Sequence, residues 1–169
     1  MHHSCWQIQA TPKPNRVILL KKLSIIHCHK LSILSKWIGR LVKLEVLRLR
    51  SCTDVSELPD SIKSLHRLRI LDIFDCLSTT HLSKHINESC NLEELHMKGC
   101  LSLRIEFPQS TTKLERLKFV ICDQKSVKLS KPIKEVLKNL EVKVAEKDIN
   151  LSWLLKLWFL RIVSFWKNL

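Results

Sequence analysis

Apolar side chains recur along the chain with a nearly constant period. The pattern L-x-x-L-x-L-x-x-C, in which the third apolar position varies, begins at the evenly spaced residues Leu20, Leu44, Leu68 and Leu92. A fifth copy begins slightly sooner than this spacing requires, at Leu114, and a sixth, from residue 137, has alanine where the others have cysteine. The alternation within each copy predicts a short strand whose large apolar side chains point inward.

The segments between the predicted strands share a second pattern. It is most complete in the string L-P-D-S-I-K-S-L at residues 58–65, with weaker copies at 34–41 and 82–89. These returns are too short for a full crossover helix. Because a fixed period of this length is typical of solenoids, we predict an α/β leucine-rich-repeat solenoid of about six repeats of 22–24 residues. Its parallel sheet should form the concave face, and short helical turns or irregular returns the convex face.

The extent of the period sets the predicted domain boundaries. Residues 1–16 break the period and form a non-repeat N-terminal segment, residues 17–150 form the repeat domain, and residues 151–169 form an apolar C-terminal tail. The tail could cap the last repeat or lie in a membrane interface on its apolar side. A third interpretation is an aberrant C-terminus of a mispredicted gene product.

Cysteine, charge and glycine usage narrow the class of protein. Five of the seven cysteines end a repeat, which favours buried thiols in a reducing compartment over a disulfide framework. The formal charge of +13 favours acidic partners. Only two glycines, Gly39 and Gly99, are present, so no glycine-rich loop is available to hold a phosphate.

The cysteine at each turn and the L-P-x-x-I return resemble the C-terminal repeats of plant intracellular nucleotide-binding leucine-rich-repeat immune receptors. Residues 57–65, 91–100 and 142–150 look most like the helper-type, coiled-coil branch of these disease-resistance proteins. The resemblance covers roughly residues 17 to 153. Ser35 and Ser83 depart from the pattern, since they stand where proline would follow leucine.

The resemblance implies a role in plant innate immunity as part or fragment of a receptor whose ADP/ATP site lies in an upstream domain. No G-x-x-x-x-G-K-[ST] string occurs here, so no cofactor is expected in this chain and an enzyme is not expected. The implied partners are proteins, either other receptor domains or immune signalling proteins. The implied location is the cytoplasm, with the nucleus or the periphery of the plasma membrane as alternatives.

Residues between the inward positions of each strand should face solvent on the concave side, about 4.8 Å from their equivalents on the next strand. This places Arg48 beside Asp72 and Lys118 beside Glu141 as expected ion pairs. We expect the face to dock a protein, with a solvated face and incidental pairing as the alternative. The candidate partner-binding residues are Arg48, Arg50, Asp72, Phe74, Glu94, His96, Lys98, Arg116 and Lys118.

Two other arrangements are disfavoured by the same map. Ser24, Asp72 and His96 could suggest a catalytic triad, but Ser24 should lie two strands from Asp72 and three from His96. The string at residues 27–29, H-C-H, could suggest zinc, but adjacent side chains on a strand point to opposite faces. No catalytic residue and no metal site are predicted.

A basic run offers a function of another class. With the apolar tail it could form a peripheral membrane-binding module on an anionic membrane surface, which is the alternative hypothesis. Nucleic acid is not favoured as a partner, because few aromatic side chains are available on the mapped face for stacking. The run consists of Lys125, Lys128, Lys131, Lys134, Lys138, Lys143 and Lys147.

Overall fold

A computed structural model of the chain contains one parallel sheet of seven strands in sequential order. It describes residues 2–4, 19–28, 36–83, 85–104, 114–124, 127, 134–135 and 137–145. The predicted tail, residues 151–169, lies outside the described residues. The strands are β1 His2–Ser4, β2 Lys22–Ile26, β3 Val46–Arg50, β4 Ile70–Asp72, β5 Glu94–His96, β6 Phe119–Cys122 and β7 Glu141–Val144.

The strands form where the repeat pattern predicts alternation. Adjacent strands pair so that an inward leucine meets its equivalent: Leu23 pairs with Leu47, and Leu47 with Leu71. The inward positions of the central strands are almost fully buried. Each such leucine contributes about 1.5–3 kcal/mol through removal of its apolar surface from water. The predicted leucine-rich-repeat solenoid with a parallel sheet is therefore confirmed.

The returns form short 3-10 helices, as the length of these segments predicted. They are η1 Lys36–Arg40, η2 Asp60–Ser64 and η3 Ile86–Glu88. Ile38, Ile62 and Ile86 occupy equivalent positions of three successive repeats and are buried against the core. Gly39 lets η1 approach η2, since a Cβ at this position would lie 2.8 Å from both Cβ and the carbonyl oxygen of Ser61.

The sheet extends into the segment that lacks the repeat period. His2, His3 and Ser4 pair in parallel with Ser24, Ile25 and Ile26 of β2. A strand can therefore join this sheet through its backbone alone, without the leucine spacing that marks the other strands.

The fifth repeat has a different register from the one predicted. Leu95 pairs with Val120, not with Leu117. Leu114 and Leu117 correspond to Leu65 and Leu68, which precede a strand, and Val120 and Cys122 are the buried strand positions. Residues 119–122 are all apolar, so alternation alone does not determine which side faces inward. The repeat pattern, which puts Leu117 and Phe119 at the inward strand positions, was therefore wrong for this repeat.

A row of buried thiols connects consecutive repeats. The Sγ atom of Cys52 donates to the Ile25 carbonyl oxygen at 3.6 Å, and that of Cys76 donates to Leu49 at 3.1 Å. The Sγ atom of Cys100 makes the same contact with the Ile73 carbonyl oxygen at 2.8 Å. The predicted row of free, buried thiols is confirmed for these three cysteines and for Cys28, which is also buried.

Cys122 is also free and buried, as expected, but it does not occupy the turn position of that row. Its strand ends at this residue, one position after the residue that pairs with His96, so Cys122 takes the inward place held by Met97 in the previous repeat. Burial raises the pKa of the Cys122 thiol to about 11 and that of Cys100 to about 12. Both thiols therefore stay protonated at neutral pH.

A row of left-handed backbone conformations precedes the thiols. The residues immediately before Cys28, Cys52, Cys76 and Cys100 have φ values of 56°, 53°, 54° and 80°. Three of these residues carry side chains, and the fourth is Gly99. At Gly99 a Cβ would lie 2.9 Å from the Asp75 Cα atom, so the close approach as well as the φ value requires glycine there.

Replacement of Gly99 by alanine should destabilise the fold. The substitution combines a disfavoured positive φ with a contact against backbone, and we expect a loss of about 2–4 kcal/mol in the free energy of unfolding. Chemical denaturation measures this loss. Ser102→Ala, at an exposed position in the same repeat, is the matched control and should change stability by less than about 0.5 kcal/mol. Equal stability of the two variants would contradict the turn geometry.

The buried thiols should also resist alkylation in the folded protein. At pH 8 a thiol with a pKa of about 11 is ionised in about one molecule in a thousand, against about one quarter for an ordinary exposed thiol. Iodoacetamide labelling followed by peptide mass spectrometry should show exposed Cys90 modified at least 100-fold faster than Cys100 and Cys122. In denaturant the three rates should converge. Equal rates in the folded protein would show that Cys100 and Cys122 are not buried.

Candidate functional site

The strand face, defined as the solvent-facing side of β2–β7, contains most of the predicted partner-binding residues. The register aligns Ser24, Arg48, Asp72 and His96 in one row across four strands. Arg50 follows two residues after Arg48, and Phe74 and Lys98 continue its row just beyond β4 and β5. The predicted set is therefore brought together on one face for Arg48, Arg50, Asp72, Phe74, Glu94, His96 and Lys98.

Asp72 is the electrostatic centre of this face. Its side chain is only 1% exposed, and a buried carboxylate is stable only when cations or donors compensate for lost hydration. Arg48 Nε lies 3.7 Å from its Oδ2, which confirms the expected pair, and Arg50 donates to the same oxygen from Nε at 2.8 Å and also from Nη2. The Phe74 amide donates to Oδ1 at 3.2 Å. One carboxylate thus orients two arginines and the turn that carries Phe74.

His96 on β5 lies close to Asp72 and Glu94. It is not placed to act with Ser24 in catalysis. Its Nε2 lies 3.0 Å from Glu94 Oε2, and its Nδ1 lies 4.0 Å from Asp72 Oδ2. The register keeps Ser24 two strands from Asp72 and three from His96. Because a nucleophile and its base must lie within about 3 Å, these three residues do not form a catalytic array.

Phe74 lies between two cations. Its ring is half-buried, with the Arg50 guanidinium 5.8 Å and the Lys98 ammonium 5.7 Å from its centre. Such contacts hold long basic side chains over an aromatic ring and leave part of each cation in solvent. The row offers an apolar surface bordered by positive charge on both sides.

Two predicted site residues lie elsewhere. Because of the shifted register, Arg116 and Lys118 precede β6 and are exposed at the N-terminal ends of the strands. Phe119 and Ile121 take their places on the strand face, opposite Glu94 and His96. Sequence reasoning missed both, although a four-residue apolar run allows either side to face inward. Lys143 of β7 lies over the Phe119 ring, with Nζ 4.7 Å from its centre.

The expected pair between Lys118 and Glu141 is also wrong. Lys118 Nζ lies 3.6 Å from Glu93 Oε2, whereas Glu141 pairs with Lys143 at 3.5 Å. Lys118 lies one residue before β6 because the register is shifted, so its neighbour is the residue just before β5.

Lys118 belongs to a row of alternating charge that sequence reasoning missed. This row, the edge ladder, lies just before the strands and consists of Lys21, Glu45, Arg69, Glu93 and Lys118. Lys21 pairs with Glu45 at 3.5 Å, and Arg69 pairs with Glu93 at 2.9 Å. Hydrogen bonding and charge from Arg69 lower the pKa of Glu93. The signal in the sequence was the alternation of charge from one repeat to the next at the same position.

The remaining chemistry proposed from the sequence falls largely outside the described residues. Within the part of the chain that the structure describes, no group of three His, Cys, Asp or Glu side chains is placed to hold a metal ion. In the same part, no helix has the length and apolarity needed to cross a membrane. Of the basic run, Lys134, Lys138 and Lys143 are described; the other four lysines and the apolar tail are not.

Loss of the charge on Asp72 should destabilise the strand face. Asp72→Asn keeps the size of the side chain but leaves Arg48 and Arg50 without their anionic partner, and we expect a loss of about 2 kcal/mol in the free energy of unfolding. Urea denaturation measures this loss. Glu94→Gln, on the same face but more exposed, should cost less than about 0.5 kcal/mol. Equal losses in the two variants would contradict the central role of Asp72.

Comparison with known proteins adds a distant structural likeness. No protein-family model and no curated protein matches the sequence. A solved structure of a leucine-rich-repeat protein from Leptospira interrogans is similar over 73% of this chain, with 18% identity and a TM-score of 0.39. The chain spans 37% of the length of that protein. Its own repeats and its parallel sheet show that the chain is a leucine-rich-repeat solenoid.

Proposed function

We propose that the chain is a non-enzymatic protein-interaction domain that binds a partner protein through the strand face. The observation that carries the proposal is Phe74, a half-buried aromatic ring held between Arg50 and Lys98 at the centre of the sheet. Aromatic and arginine side chains dominate the energetics of protein interfaces, and solenoids commonly bind on the face that their strands form.

The fixed geometry of the arginines supports the same proposal. Asp72 holds Arg48 and Arg50 through ion pairs, so these side chains lose little conformational freedom when a partner binds. Their outer nitrogen atoms and the Lys98 ammonium then meet anionic groups that surround an apolar side chain packed on Phe74. The complementary surface on the partner is an apolar anchor flanked by carboxylates.

We further propose that this domain acts in plant innate immunity, as part or fragment of a nucleotide-binding immune receptor. The support is the sequence resemblance of the repeats, including the L-P-x-x-I return that forms η2. The partners are then other receptor domains or immune signalling proteins in the cytoplasm, and the nucleotide site belongs to a domain upstream of the repeats.

Substitution of the aromatic anchor and its cation should abolish binding without unfolding the domain. The probe is the purified nucleotide-binding domain of a coiled-coil-type plant immune receptor, and biolayer interferometry measures its affinity. The variant Phe74→Ala/Lys98→Ala should weaken binding at least about 30-fold, because central aromatic anchors each contribute about 2 kcal/mol or more. The thermal unfolding midpoint of the variant should remain within a few degrees of the parent value.

A control variant and two further outcomes test the docking surface and the immune-receptor setting separately. Lys63→Ala removes an exposed lysine from η2, away from the sheet, and should leave the affinity unchanged. Binding that survives the strand-face substitutions would contradict the strand face as the docking surface. If the receptor domain does not bind, the immune-receptor setting is wrong. If instead anionic vesicles bind the chain and removal of residues 151–169 abolishes that binding, the membrane alternative replaces the proposal.

A further inference from the structure

A groove crosses the N-terminal ends of β3–β6, apart from the strand face. We call it the edge groove, and its lining residues are Glu45, Arg67, Arg69, Asn91, Glu93 and Arg116. Arg69 precedes β4 and Phe74 lies in the turn that follows it, so the groove and the aromatic ring lie at opposite ends of this strand. Binding in the edge groove is therefore independent of binding at the strand face.

The acidic part of the groove's lining is already neutralised by ion pairs. Arg69 meets Glu93 in a bidentate pair, donating from Nε to Oε1 at 2.9 Å and from Nη2 to Oε2 at 3.2 Å. Lys118 approaches the same carboxylate at 3.6 Å, and Glu45 is paired with Lys21. Both carboxylates thus have cationic partners, and these cations lower the electrostatic cost of bringing another acidic group near.

Two further cations in the lining of the groove are not neutralised by the edge ladder. Arg67 and Arg116 are exposed and line the groove, and neither forms an ion pair with any described residue. Between them lies Asn91, whose amide donates to the His66 carbonyl oxygen at 2.6 Å and is thereby held in place. Two exposed guanidiniums with a fixed amide between them form a surface that attracts carboxylates.

We propose that the edge groove binds an acidic, extended polypeptide segment that runs across the repeats. Arg67 precedes β4 and Arg116 precedes β6, so the two arginines lie two strand spacings apart, about 9.6 Å. A polyproline II segment repeats every third residue at about 9.3 Å. Carboxylates three residues apart on such a segment would meet both arginines at once.

The lining chemistry favours a polypeptide over a nucleic acid. None of the six lining side chains is aromatic, so the groove offers no platform on which bases could stack. Glu45 and Glu93 already engage Lys21, Arg69 and Lys118, so the groove leaves two separated cations for a ligand, and these match two separated carboxylates better than a continuous row of phosphates. The groove is thus matched to spaced negative charge.

The test uses the full chain and a labelled peptide of five Glu-Pro-Pro repeats at low ionic strength, with fluorescence anisotropy as the measurement. Binding is expected, and Arg67→Gln/Arg116→Gln should weaken it at least tenfold. Arg67→Lys/Arg116→Lys retains the charge but not the bidentate geometry, and should recover part of the affinity. The matched control is Arg40→Gln/Lys63→Gln, which removes two exposed cations from the 3-10 helices and should leave affinity unchanged.

Further probes decide between a specific groove and general attraction to a basic protein. A Gln-Pro-Pro peptide should not bind, and a peptide with the same glutamates in one block should bind at least fivefold more weakly. The proposal is overturned if the control variant loses as much affinity as the groove variant. It is also overturned if oligothymidine or phosphatidylserine vesicles bind at least as tightly as the peptide through the same two arginines. Equal affinity of the parent and the Arg67→Gln/Arg116→Gln variant also overturns the proposal. Unchanged melting temperatures show that every variant remains folded.

Discussion

The parallel stacking of near-identical repeats is the constraint on which the rest of the structure depends. Inward leucines bury their surface only when each strand aligns with its neighbour, and this alignment fixes the row in which every other side chain lies. The thiols and the left-handed turns recur because each repeat must leave its strand in the same way. The same turn and thiol contacts are thus repeated along the sheet. Differences in the exposed side chains from repeat to repeat produce the strand face and the edge groove.

The same alignment produces two surfaces with different electrostatics. In the middle of the strand face a buried carboxylate, Asp72, holds Arg48 and Arg50 and supports the turn that carries Phe74. At the N-terminal edge, charges of opposite sign alternate from repeat to repeat in exposed pairs, which contribute little to stability because water screens them. The first arrangement depends on burial, whereas the second leaves charge available to a partner.

The sequence predicted the features that follow from the constant spacing of the repeats. It did not predict those that depend on how far a side chain extends toward a neighbouring strand. The strands, the 3-10 returns and the thiols at Cys52, Cys76 and Cys100 follow from the constant repeat spacing, which needs no three-dimensional information. The pairing of Arg50 with Asp72 is diagonal across strands, so a row-by-row map could not find it. In the fifth repeat, the apolar run at residues 119–122 satisfies either orientation, and the choice depends on packing of Leu114 and Leu117 beneath the strand.

The pairing register of the strands determines which residues share a face, so both surfaces depend on it. Nuclear Overhauser contacts in isotopically labelled protein measure it directly. The structure predicts cross-strand backbone contacts that place Leu95 beside Val120 and Leu71 beside Leu95. Contacts that place Leu95 beside Leu117 would contradict the account, since Lys118 would then return to the strand face and the edge ladder would be broken at β6.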